Sequence, residues 1–122
     1  MDAITVLVVE NDEEFRAFLV KTLQDAGFRA VTATSGKAAI ELVLTTKPQV
    51  LIVDFQLPDT TGDQICRTIK TDPLLKEIIV IVLSASTHVE IKLSCFASGA
   101  NEYLVKPVEG RELIARMKAF CE

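Results

Sequence analysis

Segments with the pattern of a buried strand and segments with helical spacing alternate five times along these 122 residues. Residues 6–9, 50–53 and 78–83 are continuously apolar, as expected for strands that are covered on both faces. Regular βα alternation predicts a parallel sheet with right-handed crossovers and helices on both faces. Five such units are too few for a closed eight-stranded barrel. We therefore expect an α/β domain with an open, doubly wound sheet.

Apolar spacing and local start and stop signals define the predicted helices. The first helix has Asn11 or Asp12 as its candidate N-cap and ends at Gly27, because Asn and Asp cap helices well and glycine ends many of them. The second, third and fifth helices begin near residues 35, 62 and 109, and the fourth follows Ser84, with His88 at the start of its helical stretch. Apolar residues recur at helical spacing in the first helix and share one face of the fourth; they are Phe15, Phe18, Leu19, Leu23 and Ala26, and Val89, Leu93, Phe96 and Ala97.

Composition limits the chain to one ordinary globular domain, residues 1–122. The hydrophobic fraction is 49% and the charged fraction is 25%, values that are typical of such domains. No apolar stretch approaches the roughly 20 residues of a membrane-spanning helix. The start of the chain lacks the basic segment that is typical of a signal peptide. We therefore expect no association with a membrane.

The charge balance and the cysteines bear on partners and compartment. A net charge of −4 without any basic tract argues against direct binding of nucleic acid. The three cysteines, Cys66, Cys95 and Cys121, have no CxxC spacing, so we expect reduced thiols in a cytoplasmic protein. The single histidine, His88, is expected to be a solvated helix residue and not a metal ligand.

Polar side chains follow four of the predicted strands, at the point where each strand ends. Asp54 closes the third strand, and Glu10-Asn11-Asp12 follows the first. Ser84 follows the fourth strand and Lys106 the fifth. In open α/β sheets ligands bind at the carboxyl ends of the strands, and a buried carboxylate without a partner is costly. These residues therefore predict a functional cleft that gathers acids, a hydroxyl and an ammonium group.

Each of these residues also has a purely structural interpretation. Ser84 can simply end a strand, and Lys106 can be an ordinary surface lysine. Tyr103 can be a β-favouring aromatic residue that fills the edge of the core. The four strand ends taken together favour a shared site over these separate explanations.

The chain resembles the receiver domain of two-component response regulators, the CheY-like type, over essentially its whole length. The resemblance rests on V-L-V-V-E-N-D at residues 6–12, L-I-V-D-F-Q-L-P-D-T-T-G at 51–62, V-L-S-A-S at 82–86 and G-A-N-E-Y-L-V-K-P at 99–107. One such segment occurs by chance, whereas four in order at the right strand ends are specific. The resemblance implies a flavodoxin-like (βα)5 fold with a five-stranded parallel sheet of order 2-1-3-4-5 and helices on both faces.

The resemblance implies that Asp54 is the phosphoacceptor of a phosphorelay signalling switch. Its carboxylate would attack the phosphorus of a phosphohistidine on a sensor histidine kinase or phosphotransfer protein, which gives an aspartyl phosphate. A cation is needed because the carboxylate and the phosphoryl group repel each other, and Mg²⁺ suits hard oxygen ligands. The implied ligands are Glu10, Asn11, Asp54 and the backbone carbonyl of Gln56, with Asp12 as a further candidate.

The same resemblance implies supporting roles around the acceptor. Lys106 would pair with Asp54 before transfer and with a phosphoryl oxygen afterwards, and Ser84 would donate a hydrogen bond to another phosphoryl oxygen. A cis Lys106-Pro107 peptide bond is common in the family. Gln56 and Ser86 flank the acceptor and would influence hydrolysis. The domain would thus assist its own phosphotransfer and dephosphorylation without being an enzyme.

Asn11 departs from the family pattern and opens an alternative. The family usually carries two adjacent acids here, and the second of them contacts the metal directly. An uncharged amide in that position weakens Mg²⁺ binding. Asp12 could compensate, or Asn11 could serve with Glu14 as a helix cap that resembles a capping box. The alternative function is a degenerate pseudo-receiver, a protein-interaction module that works without phosphorylation.

Phosphorylation would add about two negative charges, which matter only if they bias an element with two arrangements. In the family that element is Ser84 together with the aromatic residue at Tyr103, whose ring turns inward as the hydroxyl moves towards the phosphoryl group. The fourth helix, fifth strand and fifth helix would report the change to a downstream protein or to a second receiver. That surface includes His88, Lys92, Glu102, Tyr103, Arg111 and Lys118.

A cofactor binder or enzyme on the same fold is a third class. A flavodoxin needs a phosphate-binding loop after the first strand, where the acids Glu10 and Asp12 would repel a phosphate. An aspartyl phosphatase would use a second acid two residues after its nucleophile, where this chain has Gln56. Both are therefore disfavoured.

Overall fold

The computed structural model describes residues 3–121, which form five strands and five helices in strict alternation. The strands are β1 (Thr5–Val9), β2 (Arg29–Ala33), β3 (Val50–Asp54), β4 (Ile79–Ser84) and β5 (Glu102–Val105). The helices are α1 (Glu13–Asp25), α2 (Gly36–Thr46), α3 (Gly62–Lys70), α4 (Val89–Ala97) and α5 (Gly110–Cys121). No helix within the described residues is long and apolar enough to cross a membrane.

The strands form one parallel sheet in the order β2-β1-β3-β4-β5. The predicted flavodoxin-like fold and its strand order 2-1-3-4-5 are therefore confirmed. The register aligns Val9 with Val53, Asp54 with Leu83, and Ser84 with Val105. This register brings the ends of β1, β3, β4 and β5 to one edge of the sheet.

Hydrophobic clusters cover both faces of the sheet, which explains why the central strands are apolar throughout. On one face, α2, α3 and α4 contribute Ala39, Ile65, Cys66 and Cys95, among others. On the other face, α1 and α5 contribute Leu19, Leu23, Leu113 and Met117. The helices therefore lie on both faces, as predicted from the βα alternation.

The structure shows which of the two candidate residues, Asn11 or Asp12, is the N-cap of α1. Asp12 has extended backbone angles, and its carboxylate accepts a 2.7 Å hydrogen bond from the backbone N–H of Phe15. The alternative of Asn11 as a cap with Glu14 is therefore wrong. Asn and Asp cap helices almost equally well, so the sequence could not separate two neighbouring candidates.

Several apolar residues that fit a helical face are exposed. On α4, Val89 is 62% and Leu93 is 61% exposed, and the fully buried residue is Cys95. The predicted apolar face of α4 therefore does not pack on the sheet. Phe18 of α1 and Phe120 of α5 are also exposed. By contrast, Tyr103, which the sequence assigned to the reporting surface, is buried.

Candidate functional site

Backbone pairing at the sheet edge positions the four predicted site residues. Glu10 follows β1, and its N–H donates to the carbonyl of Ala33 at 3.0 Å. Asp54 and Ser84 are the last residues of β3 and β4. The N–H of Lys106 donates to the carbonyl of Ser84 at 2.8 Å. Each side chain therefore projects from a backbone that the sheet holds in place.

Lys106 joins two carboxylates at the centre of this edge. Its Nζ lies 2.8 Å from Glu10 Oε1 and 3.1 Å from Asp54 Oδ1. The side chain of Glu10 is 3% exposed and that of Asp54 is 13% exposed. The structure thus brings together the predicted acceptor Asp54, its acidic neighbour Glu10 and the predicted basic group Lys106. The peptide bond between Lys106 and Pro107 is cis.

The charges of this cluster are unequal, since two carboxylates share one ammonium group. Burial and the nearby charge of Glu10 raise the pKa of Asp54, and contacts with Lys106 oppose that rise. Burial lowers the pKa of Lys106, but its hydrogen bonds to Glu10 and Asp54 outweigh burial and leave the pKa raised. The site therefore holds excess negative charge, which favours a further cation.

Ser84 and Tyr103 are connected through Ser86. The N–H of Ser86 donates to Ser84 Oγ at 3.0 Å, and the hydroxyl of Tyr103 donates to the carbonyl of Ser86 at 2.8 Å. Ser84 and Tyr103 are both buried. The ring of Tyr103 therefore occupies the inward position in this structure, and the loop after β4 links the two predicted switch residues.

The remaining predicted metal ligands lie around the turn after β1 and in the loop after β3. Asn11 is exposed, and Asp12 uses one carboxylate oxygen as the cap of α1. The second oxygen of Glu10, Oε2, accepts a 3.0 Å hydrogen bond from the N–H of Asp12. Gln56 lies two residues after Asp54 and forms an isolated antiparallel bridge with Thr61.

The oxygen donors at this site suit a hard divalent cation, but only two of them are carboxylates. Glu10 and Asp54 supply carboxylate oxygens, and Asn11 and Gln56 offer neutral oxygens, all of which are ligands that Mg²⁺ accepts. Among residues 3–121 no group of three or more Asp, Glu, His or Cys side chains has a metal-binding arrangement. The chemistry of these donors fits Mg²⁺ with two charged ligands, Glu10 and Asp54, and with a neutral amide at Asn11.

A hollow of about 400 Å³ lies beside Asp54 on the β4 side. It is open to solvent and lined by Asp54, Phe55, Gln56, Ser84, Ala85, Ser86, His88, Ile91 and Lys106. His88 is exposed to solvent, as the sequence predicted, and it also lines this hollow. No motif signals its position, because it depends on how α4 meets the sheet.

The loop between Asp54 and α3 is held by residues that sequence reasoning missed. The carboxylate of Asp59 accepts hydrogen bonds from the N–H groups of Gly36 and Lys37, at 2.8 and 2.9 Å. Gly62 packs so tightly that an added Cβ would lie 3.0 Å from the carbonyl oxygen of Asp54. The segment D-T-T-G contains both residues, but only the packing of α2 and β3 reveals their partners.

Comparison with known proteins identifies the family. The sequence profile of the response regulator receiver domain matches residues 6–118. The chain belongs to the response regulator receiver domain family. A receiver domain is a signalling domain, and the cluster of Glu10, Asp54, Ser84 and Lys106 lies at the sheet edge of this one.

Curated relatives of this receiver domain include transcriptional regulators and response regulators. The phosphate regulon transcriptional regulatory protein PhoB of Pseudomonas aeruginosa is 32% identical over 115 residues, which cover 94% of this chain and 50% of that protein. The transcriptional regulatory protein AfsQ1 of Streptomyces coelicolor is 34% identical over 115 residues, with the same coverage. The receiver domain therefore spans about half the length of the curated relatives that it matches.

Solved structures agree with the fold. A putative response regulator from Chloroflexus aurantiacus is 33% identical and superposes with a TM-score of 0.93, covering 98% of both chains. The chemotaxis response regulator CheY4 of Vibrio cholerae is 28% identical, with a TM-score of 0.91 and coverage of 98% of this receiver domain and 99% of CheY4. The CheY-like architecture thus extends over nearly the whole chain.

Proposed function

We propose that this receiver domain is a signalling switch in which Asp54 accepts a phosphoryl group. The donor is a phosphohistidine on a sensor histidine kinase or phosphotransfer protein. The observation that carries this proposal is the position of Lys106 Nζ between Glu10 Oε1 and Asp54 Oδ1, at 2.8 and 3.1 Å. A lysine held between two carboxylates at the carboxyl edge of an α/β sheet is poised to meet an incoming anion.

The transfer needs alignment and charge neutralisation more than covalent assistance. A carboxylate oxygen of Asp54 attacks the phosphorus, and the bond from phosphorus to the imidazole nitrogen breaks as the new phosphorus–oxygen bond forms. Lys106 then contacts a phosphoryl oxygen in place of the carboxylate. Ser84 Oγ, at the neighbouring strand end, donates a hydrogen bond to another phosphoryl oxygen. The imidazole leaves with the donor protein.

The excess negative charge of the site calls for a cation in this reaction. Glu10, Asp54, the side chain of Asn11 and the carbonyl of Gln56 would hold Mg²⁺. When bound, it neutralises charge between the acceptor carboxylate and the phosphoryl group. Asp12 contributes to the same turn as the helix cap, and its N–H orients Glu10.

The output of the switch runs through Ser84 and Tyr103 to the surface of α4, β5 and α5. Val89, Leu93 and Phe96 of α4 and Val105 of β5 are between 39% and 62% exposed. This apolar surface supports docking of a downstream protein or of a second receiver. We also place the domain in the cytoplasm, because its buried free thiols suit a reducing compartment.

Phosphorylation by a small-molecule donor tests this function directly. The protein is incubated with acetyl phosphate and Mg²⁺, and its intact mass is measured. We expect the addition of one phosphoryl group, which Asp54→Asn abolishes while Asp25→Asn, a change of the same kind in an exposed ion pair on α1, retains it. The absence of any phosphoryl addition with either Mg²⁺ or Mn²⁺ would reject the proposal.

Asn11 supports a second candidate function, that of a pseudo-receiver. Asn11 is exposed and stands in the sequence where the family usually carries an acid, and Asp12 caps α1. A pseudo-receiver would bind its protein partner through α4, β5 and α5 without phosphorylation. Under this alternative Asp54→Asn leaves partner binding unchanged in a pull-down with the partner. A clear binding defect would exclude it.

A further inference from the structure

The Lys106 ammonium group contacts an aromatic ring in addition to two carboxylates. The Nζ atom lies 4.7 Å from the centroid of the Phe15 ring. The same atom makes its two polar contacts with Glu10 and Asp54. A cation over the face of an aromatic ring is attracted by the negative charge of the π system. Lys106 is therefore held by two anions and one neutral ring.

The position of Phe15 is itself well determined. It lies in the first turn of α1, where its N–H donates to the capping carboxylate of Asp12. Its ring packs against the hydrophobic cluster beneath the sheet. It also stacks on Phe18, with ring centroids 5.8 Å apart and an interplanar angle of 19°. The ring is thus anchored by a helix cap and by the core, independently of Lys106.

We propose that Phe15 is a positioning residue for Lys106, whose ring keeps the ammonium at the acceptor when the carboxylates change partners. This inference rests on the proposed phosphoacceptor function of Asp54. Lys106 would share the oxygens of Glu10 and Asp54 with a bound divalent cation, and phosphorylation would take one oxygen of Asp54 into a bond. The ring of Phe15 is neutral and takes part in neither change.

The chemical reason lies in the flexibility of lysine. Its side chain is a four-carbon stem with a strongly hydrated end, and it loses considerable rotamer freedom when it is fixed. Without the ring, the ammonium would turn towards water whenever the cation takes its carboxylate partners. With the ring, it stays close enough to meet the incoming phosphoryl oxygens. Phe15 therefore acts on the reaction through Lys106.

Three variants separate this role from simple packing. Phe15→Leu keeps an apolar side chain but removes the π face, and Phe15→Tyr restores an aromatic ring. Phe18→Leu is the matched control, because it removes the stacked aromatic neighbour and leaves the ring that contacts Lys106. The order parameter of the Lys106 ε-methylene group is measured by ¹³C relaxation in the presence of Mg²⁺. The rate of phosphorylation by acetyl phosphate is measured by intact mass.

We expect Phe15→Leu to lower the order parameter of Lys106 and to slow phosphorylation by about threefold to tenfold. Phe15→Tyr and Phe18→Leu should stay close to the unmodified protein in both measurements. An unchanged order parameter in Phe15→Leu overturns the proposal, even if the rate falls, because the ring would then act through packing alone. If the unmodified protein is not phosphorylated, the function of Asp54 fails separately, and the order parameter alone decides the role of Phe15.

Discussion

The hydroxyl of Tyr103 donates a 2.8 Å hydrogen bond to the backbone carbonyl of Ser86. This contact ties β5 to the loop after β4 and holds the aromatic ring in its buried position. The N–H of Ser86 donates in turn to Ser84 Oγ. A displacement of the Ser84 hydroxyl towards a phosphoryl group would therefore move Ser86 first and then Tyr103.

Tyr103→Phe tests this connection. The variant removes one hydrogen bond while it keeps the ring, so we expect the free energy of unfolding to fall by about 1 kcal/mol. We also expect faster hydrogen exchange at the amide of Ser86, since the loop loses its tie to β5. Ser86→Ala is the comparison variant, because it retains the carbonyl that accepts from Tyr103 and removes instead the hydroxyl that accepts from the N–H of His88. Equal exchange rates in Tyr103→Phe and the unmodified protein would show that the hydroxyl does not hold the loop.

Asn11→Asp is expected to strengthen Mg²⁺ binding by about tenfold or more, because it adds a full negative charge to the proposed Mg²⁺ site. Calorimetric titration with Mg²⁺ measures the change. Asn11→Ser serves as a control that alters the side chain without adding charge. Equal affinities in the Asp and Ser variants would mean that residue 11 does not reach the metal.

The sequence could predict the sheet because its central strands are buried on both faces and therefore apolar at every position. It could also predict the convergence of Asp54, Lys106 and Ser84, since parallel strands end at a common edge. It could not orient α4, where apolar residues occur at Val89, Ile91, Leu93, Cys95 and Phe96. Such a helix has no single apolar side, so its contacts with α3 and β5 decide which residues are buried.

The sequence could not predict side-chain contacts between residues that are distant in the chain either. The carboxylate of Asp59 binds N–H groups that lie 22 and 23 residues earlier. Phe15 carried only the signal of a core residue, although its ring meets Lys106. Both contacts depend on how neighbouring elements pack, and a one-dimensional pattern contains no such information.

Asp59→Asn should make stability less dependent on pH in the acidic range. Hydrogen bonds from the N–H groups of Gly36 and Lys37 lower the pKa of Asp59 below its ordinary 3.8. A lowered carboxyl pKa contributes stability above the ordinary value, and that contribution is lost as the pH falls through the folded value. The unmodified protein should therefore have a higher urea midpoint than Asp59→Asn near neutral pH. This difference should shrink below pH 3.8.

Asp25→Asn controls for the change in net charge, because it removes a carboxylate from an exposed ion pair with Lys21. Its midpoint should not follow the acid-dependent course expected for Asp59→Asn. A constant difference between the unmodified protein and Asp59→Asn from neutral to acidic pH would contradict the capping role of this carboxylate.

Gly62→Ala should damage both stability and the acceptor site. An added Cβ would lie 3.0 Å from the carbonyl oxygen of Asp54 and 3.0 Å from Cα of Phe55. These are backbone atoms of the loop that the N–H of Gly62 closes through a 2.7 Å hydrogen bond to the carbonyl of Phe55. They cannot yield by changing a rotamer, so the loop or the start of α3 must move.

We expect Gly62→Ala to lower the free energy of unfolding by about 1–3 kcal/mol, the usual range for overpacking, and to slow phosphorylation by acetyl phosphate. Gly110→Ala is the matched control, because its Cβ would meet a side-chain atom of Thr22 at 3.1 Å and no backbone atom within 4 Å among its three nearest neighbours. That change should leave both quantities nearly unaltered, since alanine also favours the helical backbone of α5. If both variants unfold at the same urea concentration, the approach of Gly62 to Asp54 does not constrain the site.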